Sequence, residues 1–318
     1  MLKYIFKRVL QVIPMLLIVS FIVFSLIQLA PYDAIDSITT PNMSSETVEL
    51  LRQKHGLDQP FLVQYMMWLK EILQGNFGYS LVSQQSIGQE LLIRIPNTIN
   101  LILPAYLTAL ILSIALGLVA GANKGKFVDK LIDGICSVGI SMPTFWFAML
   151  LIYLLGYKFD LLPIIGMHTV GQEDSFVDFL QHFIMPYLVL VVAFFPDLTR
   201  YVRSSTLLQL SEDYVMVQKS FGATKREIFF KHVSKNVLLP IVTQLGLALP
   251  MLVTGAIITE SIFGWPGIGP YLMSATKALD FPVIMAVMLL SATLVILGNL
   301  LSDVLYTVVD PRISQGDK

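Results

Sequence analysis

The sequence predicts an all-α membrane protein with six transmembrane helices, and two observations lead to that fold class. Of the 318 residues, 55% are hydrophobic and only 14% are charged, whereas soluble domains carry about 25% charged residues. The charged residues are also unevenly distributed, because six long stretches contain no Asp, Glu, Lys or Arg. This composition excludes a disordered or nucleic-acid-binding chain and argues against an ordinary soluble enzyme.

The six uncharged stretches define the predicted spans. Five of them have at least 22 residues, and a helix needs about 20 apolar residues to cross about 30 Å of hydrocarbon. The fourth has 14 residues and reaches 17 only by continuing to Thr199 through Asp197. A β-barrel would instead show weaker, alternating segments of about ten residues. The stretches are Val9–Tyr32, Ile95–Asn123, Gly134–Tyr157, Phe183–Pro196, Asn236–Thr259 and Phe281–Ser302.

The spans divide the chain into four predicted parts. Residues 1–32 hold the N-terminus and the first transmembrane helix, and 33–94 form an extracytoplasmic helical region. A five-helix core follows over 95–310, and 311–318 form a cytoplasmic C-terminus. Within the core, the transmembrane helices are predicted at about 96–121, 134–157, 183–199, 237–259 and 281–309, with a cytoplasmic segment at 200–236.

The first stretch is predicted to be an uncleaved span rather than a signal peptide. Lys3, Lys7 and Arg8 would suit a positive n-region. However, the apolar run is longer than a typical h-region, and Gln28–Pro31 offers no cleavage site of the small-x-small type.

The distribution of Lys and Arg orients the chain. With the N-terminus inside, 15 of the 21 Lys and Arg residues fall in cytoplasmic segments, where positive charge is normally in excess. Both termini are therefore predicted to be cytoplasmic. Removing the short fourth span would place the basic cluster Arg200–Lys235 outside, so the charge asymmetry independently supports that span.

The predicted extracytoplasmic region, residues 33–94, is expected to contain two short helices. Ser44–Glu46 can cap a helix that ends before Gly56, and Pro60 begins a second helix that ends at Gly75. These helices form either a small cap packed on the outer membrane face or a docking surface for an external partner. One face of the second helix is apolar and carries Phe61, Tyr65, Trp68, Leu69 and Ile72.

The cytoplasmic loop reads as helix, glycine, helix. Ser211 is predicted to cap a helix whose first turn carries Glu212 and Asp213, the charge that the helix dipole favours. Gly222 should end that helix, and Thr224–Glu227 matches a capping box that starts the next one. From the residues alone, this basic loop could equally contact lipid headgroups or a protein partner.

Ionisable residues near the span ends are predicted to be solvated at the membrane interface. This applies to Asp133, Asp197, Glu260 and Asp303, although such residues at membrane depth are often functional. No ionisable pair lies in the middle of a span, which argues against a carrier with a carboxylate relay. Prolines are expected to bend the helices around a cavity, and they stand at positions 14, 104, 143, 186 and 250.

The residues offer no pattern for catalysis. A single cysteine excludes a disulfide framework and a CxxC site, and Gly121–Lys126 has one residue too few between its glycines for a phosphate loop. We therefore expect no catalytic residue, no metal site and no nucleotide or other cofactor site in this chain. The histidines show no metal-ligand spacing and are His55, His168, His182 and His232.

Motifs spread along nearly the whole chain resemble one known family. They are Lys7-Arg8 with Pro14, Gly56–Pro60, Gln64-Tyr65, Trp68-Leu69, Gly75–Ser80, Arg94 with Asn97-Thr98, Ser141–Pro143, Arg200–Ser204, Glu212–Tyr214 with Gly222, Glu260–Gly269, Asp280–Pro282, Asn299–Asp303 with Tyr306, and Asp310–Arg312. With these motifs in this order along the sequence, the chain resembles a transmembrane permease subunit of ATP-binding-cassette (ABC) importers, in the dipeptide/oligopeptide/nickel group.

The resemblance implies a fold and two groups of site residues. The fold would be that of type I ABC importer permeases, in a prokaryotic cytoplasmic (inner) membrane. The helix–glycine–helix loop would dock on the ATPase as a coupling segment, which includes Glu212, Asp213, Tyr214, Gly222, Ala223, Thr224 and Glu227. Further motif residues carry no implied role; they are Glu260, Trp265, Pro266, Gly267, Gly269, Asp280, Pro282, Asn299, Asp303, Asp310, Pro311 and Arg312.

The resemblance also implies partners and a function. The partners would be a second homologous permease subunit, an extracytoplasmic solute-binding protein and two cytoplasmic ATPase subunits, which would hold the ATP and Mg. The expected function is ATP-driven import of di- or oligopeptides, and the chain itself would not be an enzyme. The same machinery could import nickel, a metal chelate or another small solute. A self-sufficient carrier or channel is the remote alternative, which would show inverted repeats and buried coupling residues.

Overall fold

A computed structural model describes residues 2–29, 35, 39, 43–54, 56–238, 241 and 256–309. The side chains of residues 2–7, 27, 303 and 305–309 lie outside this description, as do the predicted site residues Asp310, Pro311 and Arg312. Among the described residues the regular structure is helical, with one isolated antiparallel bridge between Tyr79 and Ser86.

Within the part of the chain that the structure describes, four helices are long and apolar enough to cross a membrane. They contain the first, second, fourth and sixth predicted spans, including the short fourth one, which lies inside a helix of 36 residues. The second predicted span begins earlier than expected, because its helix starts at Ile87. These helices are α1 (Leu2–Gln28), α4 (Ile87–Ala122), α7 (Phe176–Ser211) and α12 (Phe281–Val309).

The third predicted span is not one helix. The structure replaces the helix predicted over 134–157 by α5 (Phe127–Ser141) and α6 (Thr144–Leu151), which continues as a π-helix over Ile152–Lys158. The two parts meet at an angle of 93°. The cause is Pro143, which disfavours a helical conformation in the residue before it, and Met142 is accordingly extended (φ −92°, ψ 114°).

The fifth predicted span, 237–259, lies mostly outside the described residues, together with Pro250. Its two ends are described, since residues 234–238 are helical and α10 covers Ile257–Ile262. Beyond it come α11 (Ile268–Lys277) and then α12, which packs against both α11 and α1.

The core is built on the pair α4 and α7, two helices of 36 residues each. Glycines allow the two backbones to approach closely, as is common between membrane helices. A Cβ atom at Gly117 would lie 2.6 Å from Cβ of Val202, and one at Gly121 would lie 2.6 Å from Cβ of Thr206.

The two helices predicted between the first and second spans are present as α2 (Ser45–Lys54) and α3 (Phe61–Leu73). Gly56 and Gly75 follow them with positive φ angles of 69° and 79°. The apolar face of α3, which the spacing predicted, packs on α1 through aromatic rings. The ring of Phe24 lies 5.5–5.6 Å from the rings of Phe61, Tyr65 and Trp68.

Candidate functional site

The helix–glycine–helix segment, residues 212–233, begins one residue later than predicted. Glu212 is the N-cap residue of α8 (Asp213–Ser220), and its carbonyl accepts a hydrogen bond from the Val215 N–H at 3.0 Å. The prediction that Ser211 caps this helix is wrong. Ser211 is the last residue of α7, and its hydroxyl donates back to the carbonyl of Leu208 at 2.7 Å.

Gly222 ends α8 as predicted, with φ +82°. The Ala223 N–H donates to the Gln218 carbonyl at 3.1 Å, and the Gly222 N–H donates to the Lys219 carbonyl at 3.0 Å. These two bonds form a Schellman motif, in which glycine avoids the Cβ penalty of a left-handed backbone. A Cβ atom at Gly222 would contact nothing within 4 Å, so the requirement for glycine is conformational.

The predicted capping box is present at the start of α9 (Lys225–Ile228). The Thr224 N–H donates to Glu227 Oε2 at 3.0 Å, and the Glu227 N–H donates to Thr224 Oγ1 at 3.2 Å. The hydrogen bonds from Thr224 and the charge of Lys231 hold the pKa of the Glu227 carboxyl below its usual value. The helix continues as a π-helix over Phe229–Val233.

The base of this segment is buried in the core, whereas its tip is exposed. Phe221, next to the turn, is 84% exposed, and Met216 and Phe230 are also exposed. Tyr214 is half-buried and donates to Gln209 Oε1 at 3.0 Å. The buried base packs into a cluster with α4 and α7 that includes Val215, Ile228, Val233, Tyr106, Leu110 and Val202. A force on the exposed tip would therefore be transmitted to the long core helices.

A second group of motif residues, Glu260–Gly269, folds around a buried carboxyl group. Glu260 is fully buried, and its Oε2 accepts a hydrogen bond from the Gly269 N–H at 2.8 Å. Thr98 of α4 is a further side-chain partner. The prediction that Glu260 is solvated at the interface is therefore wrong, because its own motif folds over it. A Cβ atom at Gly267 would collide with Glu260 and Thr98.

The same motif is attached to α4 by three hydrogen bonds. The indole Nε1 of Trp265, a fully buried residue, donates to the Asn97 carbonyl at 2.8 Å. Asn97 Nδ2 donates to the Pro266 carbonyl at 3.0 Å, and the Ile268 N–H donates to Thr98 Oγ1 at 2.9 Å. These contacts give the motif a positioning role in the fold.

Asp280, just before α12, connects the motif region to the loop that precedes α4. Its carboxylate accepts hydrogen bonds from the Ser80 hydroxyl at 2.5 Å and from the Leu81 N–H at 3.2 Å. Pro282 lies in the first turn of α12, and Asn299 is exposed on that helix. The side chain of Asp303 lies outside the described residues.

A polar network on α7 escaped the sequence prediction. The hydroxyl and the N–H of Thr169 donate to the two carboxylate oxygens of Asp178 at 2.6 and 2.8 Å. His182 lies 3.6 Å from Asp178 and 3.1 Å from the Gly166 carbonyl. The spacing of Asp178 and His182, four residues apart on one helix, was the available signal.

Comparison with known proteins assigns the chain to a family. The model described as "Binding-protein-dependent transport system inner membrane component" matches residues 113–315, and the model of its N-terminal region matches residues 1–102. The chain belongs to this family. Its members are permease components rather than enzymes, so the chain is a multi-pass membrane subunit of a transport system.

Relatives extend this family assignment over the full length. The chain is 37% identical over 314 residues to the oligopeptide transport system permease protein AppB of Bacillus subtilis (strain 168), covering 98% of this chain and 99% of AppB. It is 36% identical over 313 residues to the glutathione transport system permease protein GsiC of Escherichia coli (strain K12), with coverage of 98% and 99%. GsiC of Salmonella typhimurium matches equally well, with 36% identity over 313 residues.

Proposed function

We propose that this chain is one permease subunit of an ABC importer that moves di- or oligopeptides into the cytoplasm. The observation that carries the proposal is the helix–glycine–helix segment, whose base is buried against α4 and α7 while Phe221 is 84% exposed. An exposed apolar tip on a buried base suits a surface that docks on an ATPase. Glu212, Asp213, Tyr214, Gly222, Ala223, Thr224 and Glu227 are the residues proposed for this coupling segment.

The proposed complex contains a second homologous permease subunit, two cytoplasmic ATPases and an extracytoplasmic solute-binding protein. ATP and Mg bind to the ATPases. ATP closes the ATPase dimer, the two coupling segments move together, and the pathway opens outward to receive the solute. ATP can drive this change only if it binds the closed state more tightly than the open one. Hydrolysis then restores the inward-facing state.

The proposed topology has six spans in a prokaryotic cytoplasmic membrane, with both termini in the cytoplasm. α5 and α6 together are the third span, and residues 237–259 are the fifth. The helices α2 and α3 then lie on the extracytoplasmic side, where the solute-binding protein docks. Peptide as the solute is supported by the names of the relatives, which are permeases for oligopeptides and for glutathione.

Reconstitution into vesicles tests this function. Uptake of a labelled tripeptide should require the partner subunits, the binding protein and ATP, and it should stop with an ATPase variant that cannot hydrolyse ATP. Uptake by the isolated chain without ATP would instead identify a self-sufficient carrier or channel. If the binding protein retains nickel or a metal chelate but no peptide, the proposed solute is that metal species instead of a peptide.

A further inference from the structure

The helix α5 has two chemically different exposed faces. One face is apolar and carries Leu131 and Ile135, which are both exposed, as suits a surface in contact with lipid. A second face is polar at intervals of four residues, with the exposed Asp133 and Ser141 and the half-buried Ser137. The buried face of the helix, which packs in the core, includes Ile132 and Cys136. Because lipid contact disfavours charged and polar groups, the polar face points to a water-filled space.

Arg200 of α7 completes this polar face. Its Nη2 donates to Ser137 Oγ at 2.7 Å, and its Nε lies 3.4 Å from Asp133 Oδ1. The Arg200 and Asp133 side chains remain 41% and 52% exposed. An ion pair that is this exposed contributes only about 0–1 kcal/mol, so either group can exchange its partner at little cost. Asp133, Ser137, Ser141 and Arg200 are called the polar seam below.

The serine hydroxyls of the seam retain acceptor capacity. Ser137 Oγ donates to the Asp133 carbonyl at 2.8 Å, and Ser141 Oγ donates to the Ser137 carbonyl at 2.8 Å. Each oxygen has lone pairs in addition to its single donated proton. Among the described residues, Ser141 Oγ accepts no hydrogen bond, so it can accept one from a solute N–H.

The seam leads into an open groove at the break between α5 and α6. The groove has a volume of about 610 Å³, which is within the range of small-molecule sites, about 300–1,000 Å³. Its walls combine the two serines with exposed aromatic rings of α6. The lining residues are Ser137, Val138, Ser141, Met142, Pro143, Phe145 and Trp146.

We propose that the polar seam and the groove form the cytoplasmic half of the solute path and hold a zwitterionic peptide. Asp133 can attract the terminal ammonium group and Arg200 the terminal carboxylate, one terminus at a time, because the two side chains lie only 3.4 Å apart whereas an extended tripeptide spans about 10 Å. The aromatic groove accepts an apolar side chain. Weak, exchangeable contacts suit a path, because the solute must leave as readily as it enters. This inference rests on the proposed importer function and adds the residues that the solute contacts.

Thiol labelling of the assembled transporter tests the seam. Ser141→Cys and the matched control Ile135→Cys are compared in inside-out vesicles with a charged, membrane-impermeant methanethiosulfonate reagent. Since thiolates form in water and not in lipid, Ser141→Cys should react at least about tenfold faster than Ile135→Cys. The native Cys136 is buried, and the unsubstituted chain measures its background.

Peptide protection tests the ligand. Ala-Ala-Ala added on the cytoplasmic side should slow the labelling of Ser141→Cys, and the same tripeptide with acetylated and amidated ends should protect less. Equal, slow labelling of the two cysteines would overturn the water-filled seam. Fast labelling that no peptide slows, or that both peptides slow equally, would overturn the zwitterionic site. Cross-linking of Ser141→Cys to the second permease subunit would make this face a subunit interface instead.

The two proposals fail in distinguishable ways. The labelling rate of Ser141→Cys, measured without nucleotide and without peptide, reports whether water reaches the seam and does not require uptake. Vesicles that take up no peptide but show fast labelling would contradict the peptide importer and leave the water-filled seam intact. Vesicles that import peptide but label both cysteines slowly would contradict the seam alone.

Discussion

Gly222 adopts a left-handed backbone conformation in open space, so a substitution there tests conformation without steric collision. Gly222→Val should cost about 1–2 kcal/mol and tilt the coupling segment, and it should reduce ATP-driven uptake and ATPase co-purification. Gly222→Asn should have a smaller effect, because Asn tolerates this conformation better. Gly125 is the matched control, since its φ is +77° and its Cβ position is also open. Full uptake by Gly222→Val would contradict the hinge.

Removal of the buried Glu260 carboxyl should lower the free energy of unfolding more than removal of an exposed carboxyl. Glu260→Ala leaves the Gly269 N–H without its acceptor and should cost about 1–3 kcal/mol, seen as a lower unfolding midpoint of the purified transporter. Glu260→Gln keeps an acceptor oxygen and should cost less. Glu49→Ala, at an exposed position of α2, is the control. Equal midpoints for the two alanine variants would show that the motif does not depend on this carboxyl.

At the scale of elements, the capping box of α9 should respond to acid. Because the pKa of Glu227 is lowered in the folded segment, the ionised carboxylate stabilises α9. This stabilisation is fully present above the unfolded pKa, about 4.3. That contribution is lost as the pH falls through the lower, folded value. Hydrogen exchange over residues 225–233, corrected for the intrinsic rate, should therefore accelerate in acid. Glu227→Gln should remove this pH dependence, and an unchanged profile would mean that the box does not stabilise α9.

The break between α5 and α6 should depend on one proline. Pro143→Ala frees Met142 to become helical, so the two helices should straighten. Spin labels at the exposed positions Val128 and Tyr153 would then move apart in a distance measurement, and peptide uptake should fall. Ala substitution of the exposed Pro266, which lies outside this bend, is the control. An unchanged distance would assign the bend to tertiary packing rather than to Pro143.

Sequence patterns predicted local elements well and tertiary contacts poorly. Helix ends and capping boxes depend on residues that are neighbours in the sequence, so they could be predicted. Examples are the helix ends at Gly56, Gly75 and Gly222. Pro143 was among the prolines expected to bend a span, but the 93° angle was not predicted, since a proline indicates where a helix breaks and not the angle between the two halves. Glu260 was misread since its donors include Thr98, 162 positions away in the sequence, and periodicity carries no information on such contacts.

For the whole molecule, the proposed topology places Phe221 and Leu73 on opposite sides of the membrane, and both are exposed. Phe221→Cys should react with an impermeant thiol reagent only in inside-out vesicles, because it lies in the segment proposed to couple to the ATPase on the cytoplasmic side. Leu73→Cys should react only in right-side-out vesicles. Labelling of Phe221→Cys from the outside would overturn the orientation and, with it, the docking of an ATPase at this segment.

The contact of Asp280 with Ser80 and Leu81 also sets an order of assembly. Ser80 and Asp280 are 200 positions apart, so the ribosome must synthesise most of the protein before the loop meets its acceptor. At about 5–20 residues per second, the Ser80 loop waits on the order of 10–40 s after emerging. This contact can therefore form only after Asp280 has been synthesised. In a chain truncated before that residue, the Ser80 loop would lack this hydrogen-bond acceptor.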